Sequence, residues 1–356
     1  MKKKTLALLM AASMTTAILA GCGSDQGGTS TGNETGNTTQ TTVDAGAVYK
    51  VGIVQFVDDA SLNQIESAIE KELDAKGAEL GVTFNYGDYT YNGQADSTVL
   101  NQIATELIAS EVDVIIPIAT PAAMIMQNAT EDNQIPVVFS AVSDPEGSGL
   151  VASNNALGSN ITGTSDALNT EAIMDLMFAA NPNITKVGLL YSKSEDSSRV
   201  PVEAAKAYCE ARGVAVEEKT GTTNDEVSLA ADALIASGVD AIFTPTDNTV
   251  MTAELAIYEK FIDAGIPHYC GADSFALNGA FMGYGVNYEE LGTATADMVV
   301  EILVNGANPA STAVVTLDNG IATVNTETAQ AIGLDYSMFA DMCDELKEIT
   351  TAEEFE

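Results

Sequence analysis

The side chains that could do chemistry in this sequence are small hydroxyls, amides and carboxylates, and they fall at recurring places. Each follows a short apolar run. Gln55 and Phe56 follow one, Thr120 and Pro121 another, and Ser140, Ser143 and Asp144 a third. In the second half, Ser192, Ser194 and Glu195 follow Tyr191. Thr246, Asp247, Asn248 and Thr249 come next, then Asp273 and Ser274. This is the vocabulary of non-covalent binding. The chain has one histidine, His268, so a multi-histidine metal site is excluded and any Ser-His or Cys-His mechanism would need that residue. His268 follows Ile266-Pro267 inside an apolar run, where a packed histidine is expected. No G-x-S-x-G, H-E-x-x-H or P-loop pattern is present. No enzymatic activity and no cofactor or metal is expected.

The elements that must position these residues read as α/β. Val51–Val57, Val112–Ala119, Pro136–Val142, Val187–Tyr191, Val239–Thr244 and Ile266–Gly271 are apolar runs of the kind that form buried parallel strands. Amphipathic segments lie between them: Leu62–Leu80, Thr98–Ala109, Thr170–Ala180, Val200–Arg212, Glu226–Ala236, Val250–Ala264 and Glu289–Val304. Gly81, Gly213, Gly238 and Gly265 stand where helices should end. The two halves also resemble each other. VDVIIPIATPAAM (112–124) aligns with VDAIFTPTDNTVM (239–251), QIPVVFSAVSDP (134–145) with GIPHYCGADSFA (265–276), and VGIVQFVDD (51–59) with VGLLYSKSED (187–196). Three matches in one order predict two similar doubly wound parallel-sheet lobes joined by a hinge, with a cleft between them.

Ligands of such sheets sit beyond the carboxyl ends of the strands, where this sequence turns polar. Thr120-Pro121 and Asn248-Thr249 precede helices, so free backbone N–H groups should point into the gap. A hydroxyl beside a helix N-terminus suits a carboxylate, and Asp247 or Asp166 would suit an ammonium. Asp247 equally suits a helix N-cap. Of Phe56, Tyr191 and Tyr284, at least one is expected to grip an apolar ligand group. These features point to an α-amino acid. A sugar would call for stacked aromatics, and tryptophan is absent. A dicarboxylate or phosphate would call for more cations than Arg199, Arg212 and a few lysines supply.

Both ends of the charge scale are informative. There are 14 basic and 51 acidic residues in 356, a net charge of −37, which excludes sequence-independent nucleic-acid binding. The N-terminus has a basic start (Lys2–Lys4) and an apolar stretch (Leu6–Ala20) too short to be a good spanning helix. It ends in Leu19-Ala20-Gly21-Cys22, which looks like a bacterial lipobox, with small residues before a thiol to be lipidated. Cleavage there would remove three lysines and take the charge from −37 to −40. Residues 1–21 are expected to be signal peptide, and 22–47 a lipidated Cys22 with a polar, flexible tether. Cys209, Cys270 and Cys343 are odd in number and lack a CxxC pair, so free thiols are expected.

The order lipobox, QFV, ATPAA, SAVSDP, GTSD, LLYSKSEDSS, PTDN and GYGVNYEELG resembles the substrate-binding lipoproteins of ABC importers. Within that family it is similar to the branch of the tryptophan-binding protein of Gram-positive bacteria. The resemblance implies the periplasmic-binding type I fold with three chain crossovers. These would fall near Gly163–Asp166, Gly283–Tyr288 and Ala307–Thr312. Lobe one would then be 48–163 plus 287–308, and lobe two 166–284 plus 312–356. It also implies a monomer anchored by lipid outside the cell membrane. Such a protein hands a small molecule to a permease with a cytoplasmic ATPase, and this branch implies an aromatic or large apolar α-amino acid as that ligand. A sensor component of the same fold is the alternative function.

Overall fold

A computed structural model describes residues 46–155, 159–352 and 354–355. The expected signal peptide, Cys22 and all but the end of the tether lie outside these residues. The first lobe is built from β1 (Val48–Gln55), β2 (Thr83–Asn85), β3 (Thr90–Asn92), β4 (Val114–Ile118), β5 (Val137–Phe139) and β6 (Ile161–Ser165). Helices α1 (Ala60–Leu80), α2 (Ser97–Ala109) and α3 (Thr120–Thr130) alternate with them. The second lobe contains β7 (Lys186–Tyr191), β8 (Ala215–Thr220), β9 (Ala241–Thr244), β10 (His268–Cys270) and β11 (Met282–Gly285). Its helices are α4 (Thr170–Ala180), α5 (Arg199–Arg212), α6 (Asn224–Ala236), α7 (Asn248–Ala264) and the short α8 (Asp273–Leu277). The chain returns to the first lobe as α9 (Tyr288–Leu303) and β12 (Val315–Thr316). It closes the second with β13 (Ile321–Asn325), α10 (Thr326–Ile332) and β14 (Glu345–Ile349).

The duplication is explicit in the strand order. One sheet runs β12-β6-β5-β4-β1-β2, with β3 also on β1, and the other runs β14-β13-β11-β10-β9-β7-β8. The sequence pairs noted above become β1 with β7, β4 with β9 and β5 with β10, at equivalent places in the two sheets. Strands β4 and β5 are wholly buried, because helices cover both faces of a parallel sheet. The symmetry fails at the C-terminus. β12 is parallel to β6, whereas β13 is antiparallel to β11.

That end differs from the sequence expectation. β12 pairs with Thr164 and Ser165 of the first sheet, so the third crossing lies after Thr316, later than 307–312. β6 likewise runs to Ser165, past the expected end at 163. A two-residue exposed strand has no apolar run to betray it. Strand β8 likewise lacks an apolar run: its charged sequence AVEEKT forms an edge strand with no fully buried residue.

Asp59 and Asp96 cap α1 and α2 through their carboxylates, and Gly81, Gly213 and Gly265 end α1, α5 and α7 in the left-handed region. Helix α1 packs closely against α9. A Cβ on Gly292 would lie 2.5 Å from the Ile65 carbonyl and 2.8 Å from the Ala68 Cβ, so only glycine lets these backbones meet. Gly292→Val should cost about 1–3 kcal/mol by overpacking. The check is a urea titration, where the variant's midpoint should fall; an unchanged midpoint would mean that α1 and α9 can separate freely.

Candidate functional site

Every strand end of the two duplicated sets feeds one small interlobe cavity. Its walls are Ser61 and Leu62 after β1, Ala119 and Thr120 after β4, Ala141 and Ser143 after β5, and Asp166 after β6. From the second lobe come Ser197 after β7, Thr246, Asn248 and Met251 after β9, and Ala272 after β10. Tyr288, after β11, completes it. The walls stand close together, leaving a cavity of about 10 Å³, roughly one water molecule. A larger open groove of about 690 Å³ lies outside this seam, lined by Gln64, Lys71, Asp273, Thr323 and Lys347 among others. Most of its lining comes from helix flanks and the C-terminal segment, so the convergent strand-end chemistry belongs to the smaller space.

The first lobe supplies the strongest polar features. Thr120 opens α3, and Pro121 fills the first turn, where a missing N–H costs nothing. The preceding Ala119 has φ 79° and ψ 153°, a region almost reserved for glycine, and Ala141 has φ 55°. Two strained alanines on adjacent strand ends mark a backbone held for a purpose other than stability. α3 has no side-chain cap, so its first N–H groups face the cavity region ready for an acceptor.

Four carboxylates are buried near the seam: Asp59, Asp166, Glu195 and Asp247. They differ in how well they are satisfied. Asp247 is fully enclosed; its Oδ2 accepts the Ser192 N–H and the Ser198 hydroxyl at 2.6 Å each, and its Oδ1 accepts the Val250 N–H at 3.0 Å. It is the N-cap of α7, tied into the 192–198 loop, and does not line the cavity. Glu195 accepts from Asn248 Nδ2 at 3.1 Å and Thr249 Oγ1 at 3.4 Å, and burial raises its pKa with help from the neighbouring Asp247 charge. Asp166 lines the cavity with one side-chain donor, the Ser143 hydroxyl at 2.9 Å. Burial pushes its pKa up to about 6 against the lowering effect of that bond. It is the carboxylate with acceptor capacity to spare.

Of the residues expected at the cleft, the cavity therefore gathers Thr120, Asp166 and Asn248. Pro121 supports Thr120 from within α3. Gln55 is buried behind the wall and donates to Asn63 Oδ1 at 2.7 Å. Phe56 is packed into the first lobe's core. Ser140 points into that lobe, bonding Thr295 Oγ1 at 2.9 Å, because the side chain at this strand end turns toward α9. Ser194 is exposed on its loop, with its hydroxyl against Ser192. Asp273 bonds Ser61 and Gln64 at the seam beside the cavity. None of the three expected aromatics lines the cavity: Tyr191 donates to Glu218 on the far side, and Tyr284 is buried in the second lobe's core. The cleft aromatic is Tyr288. Its signal was the N-cap Asn287 before it, which starts a helix at the second crossover and turns the next side chain inward.

Two α/β lobes of like topology, with all their facing strand ends on one small polar cavity, define a two-lobed ligand-binding protein. The chain belongs to the ABC transporter substrate-binding protein family, which it matches over residues 50–338. It is 30% identical over 332 residues to a tyrosine-binding protein of Clostridioides difficile, covering 93% of each chain. It is also similar to the crystal structure of an ABC domain in complex with L-Trp from Streptococcus pneumoniae. That match has 31% identity and a TM-score of 0.77, over 84% of this chain and 100% of that one. The ligand-free, open structure of a Clostridium difficile substrate-binding protein with adhesive properties matches with 30% identity and a TM-score of 0.65. It covers 85% of this chain and all of that one.

Asp166 gives a signed pH effect. Its folded pKa lies above the unfolded value of 3.8, so its contribution is most favourable below that value and is lost as pH rises through about 6. Asp166→Asn keeps an acceptor for Ser143 and removes the buried charge. The variant should therefore be more stable than the parent at pH 7.5, by up to about 3 kcal/mol, with the gap closing toward pH 4. Thermal melts across that range decide it; a variant less stable at every pH would show that the charge is compensated.

Proposed function

We propose that this protein is an extracytoplasmic lipoprotein that captures an α-amino acid, aromatic or large and apolar, and delivers it to an ABC permease. The observation that carries this reading is the pairing of Asp166 with the uncapped N-terminus of α3 around one cavity. An ammonium fits the under-satisfied Asp166 carboxylate, and a carboxylate fits the Thr120 hydroxyl and the first N–H groups of α3. Both groups belong to the first lobe or its edge, so the ligand's polar end docks there first. Ser197, Thr246 and Asn248 of the second lobe then cover it, while Leu62, Met251 and Tyr288 offer apolar surface. Of Asp247 and Asp166, the ammonium falls to Asp166, because Asp247 is consumed by donors of its own lobe.

A cavity of about 10 Å³ admits no amino acid, so entry requires the lobes to part about the three crossings. Similarity to known relatives supports the same motion. At nearly equal identity, the chain superposes better on the L-Trp complex than on the open, ligand-free relative. The named ligands of those relatives, tyrosine and tryptophan, fall within the proposed class. The closed form would dock on the permease. Among the described residues no helix is long and apolar enough to cross a membrane, and the lipobox cysteine Cys22 would supply the anchor. We take the protein to act as a monomer.

Calorimetry with tyrosine, tryptophan, phenylalanine and leucine tests the ligand class. At least one should bind, and Asp166→Asn should weaken it about 10–100-fold, the loss of one charge-assisted bond of roughly 1.5–3 kcal/mol. Silence from all four would remove the amino-acid reading while leaving the family intact. The anchor has its own test: Cys22→Ala should move the protein from the membrane fraction to the medium, and retention in the membrane would argue against lipidation.

A further inference from the structure

The lobes meet at a point where two carboxylates from opposite sides hold the same residue. Asp59, the N-cap of α1, accepts the Ser61 N–H at 2.9 Å and the Leu62 N–H at 3.5 Å through Oδ1. Asp273, the first residue of α8 in the second lobe, accepts the Ser61 hydroxyl at 2.6 Å through Oδ1 and Gln64 Nε2 at 3.3 Å through Oδ2. The Ser61 hydroxyl in turn accepts the Ser274 N–H at 3.1 Å. Ser61 thus binds one carboxylate with its backbone and the other with its side chain. Asp59 is buried at 8% exposure, whereas Asp273 is half-buried at the edge of the outer groove.

The other titratable groups facing this pair are few. Tyr288 of α9 faces both, and Asp166 faces Tyr288 from the crossover. The one cation facing Asp273 is Lys347 of β14, and neither carboxylate is in an ion pair among the described residues. Neither carboxylate lines the cavity of about 10 Å³, although Ser61 between them does. Closure therefore moves a negative charge of the second lobe against a buried negative charge of the first, with no counter-ion on the Asp59 side.

We propose that this seam is a proton-binding site made by closure: the closed form takes up a proton at the Asp59–Asp273 pair, and opening releases it. The proton is then a co-ligand of the closed state. Burial pushes the Asp59 pKa up to about 7 in the closed arrangement; the α1 N–H groups and the Ser274 hydroxyl of the second lobe oppose the rise, and the Asp273 charge adds to it. In an open form Asp59 keeps its bonds to the α1 N-terminus, loses both the Ser274 hydroxyl and the Asp273 charge, and regains water; because burial is the largest cause of the rise, its pKa returns toward the ordinary range. The closed form binds the proton more tightly, so falling pH favours closure. Above about pH 7 both forms are ionised and the dependence ends.

The inference rests on the hinge motion of the proposed function and not on the identity of the ligand. Small-angle scattering of the ligand-free protein between pH 5 and pH 8.5 tests it. The closed-to-open ratio should rise on the order of 100-fold from pH 8 to pH 5, read as a smaller radius of gyration at the acid end. Asp59→Asn with Asp273→Asn keeps the Oδ1 acceptor at 59 and one of the two acceptors at 273, and should stay compact at both ends. Asp59→Asn alone, with asparagine an equally good N-cap, serves if the double variant does not fold. A wild-type radius that is constant over the range overturns the proton site, as does a variant that expands with pH as the wild type does. A radius that also ignores every amino acid tried would count against the hinge motion itself.

Discussion

A carboxylate taken out of water must be hydrogen-bonded, paired or protonated, and four are taken out near the seam between these lobes. No lysine or arginine lines the cavity they surround. That constraint organises the rest of the cleft. Asp247 and Glu195 are held by donors of their own lobe, which fixes the 192–198 loop against the start of α7. Asp59 is held by the start of α1. Asp166 alone faces the cavity with a single side-chain donor, and the missing partner is the positive group that the ligand is proposed to bring.

The cleft also gathers several departures from the usual backbone and capping rules. The sheets and helices satisfy their own backbone groups, with glycine or aspartate at the helix ends where the geometry calls for them. At the strand ends the chain departs from these rules. Ala119 and Ala141 adopt positive φ, α3 lacks a side-chain cap, and an unpaired aspartate is buried. Each lowers stability and each turns a polar group toward one small space. A protein selected only to fold would remove them.

Much of this architecture was legible in the sequence because duplication repeats its apolar runs and because parallel strands are buried on both faces. β4 and β9 stand out as VDVIIPIA and VDAIFTPT for that reason. The edge strands were not legible: β8 is charged on its exposed faces, and β12 is only two residues long. The site was partly legible. Strand ends can be located from the apolar runs, and Thr120, Asp166 and Asn248 at those ends do line the cavity. Whether a given side chain turns toward the cleft or the core depends on one or two backbone angles, which periodicity does not encode. Ser140 turned inward, and Tyr191 and Tyr284 joined the second lobe's own packing. Tyr288 was hidden because it lies after a crossover, where the strand-helix rhythm is interrupted.

In the proposed complex the ligand's ammonium rests on Asp166 while its carboxylate rests on Thr120 and the N-terminus of α3. A crystal structure with L-tyrosine or L-tryptophan bound tests it most directly. The account predicts the α-amino nitrogen within hydrogen-bond distance of the Asp166 carboxylate and the α-carboxylate against the Thr120 hydroxyl, with Asn248 closing from the second lobe. A ligand held in the reverse polarity, or seated in the outer groove beside Lys347, would contradict it.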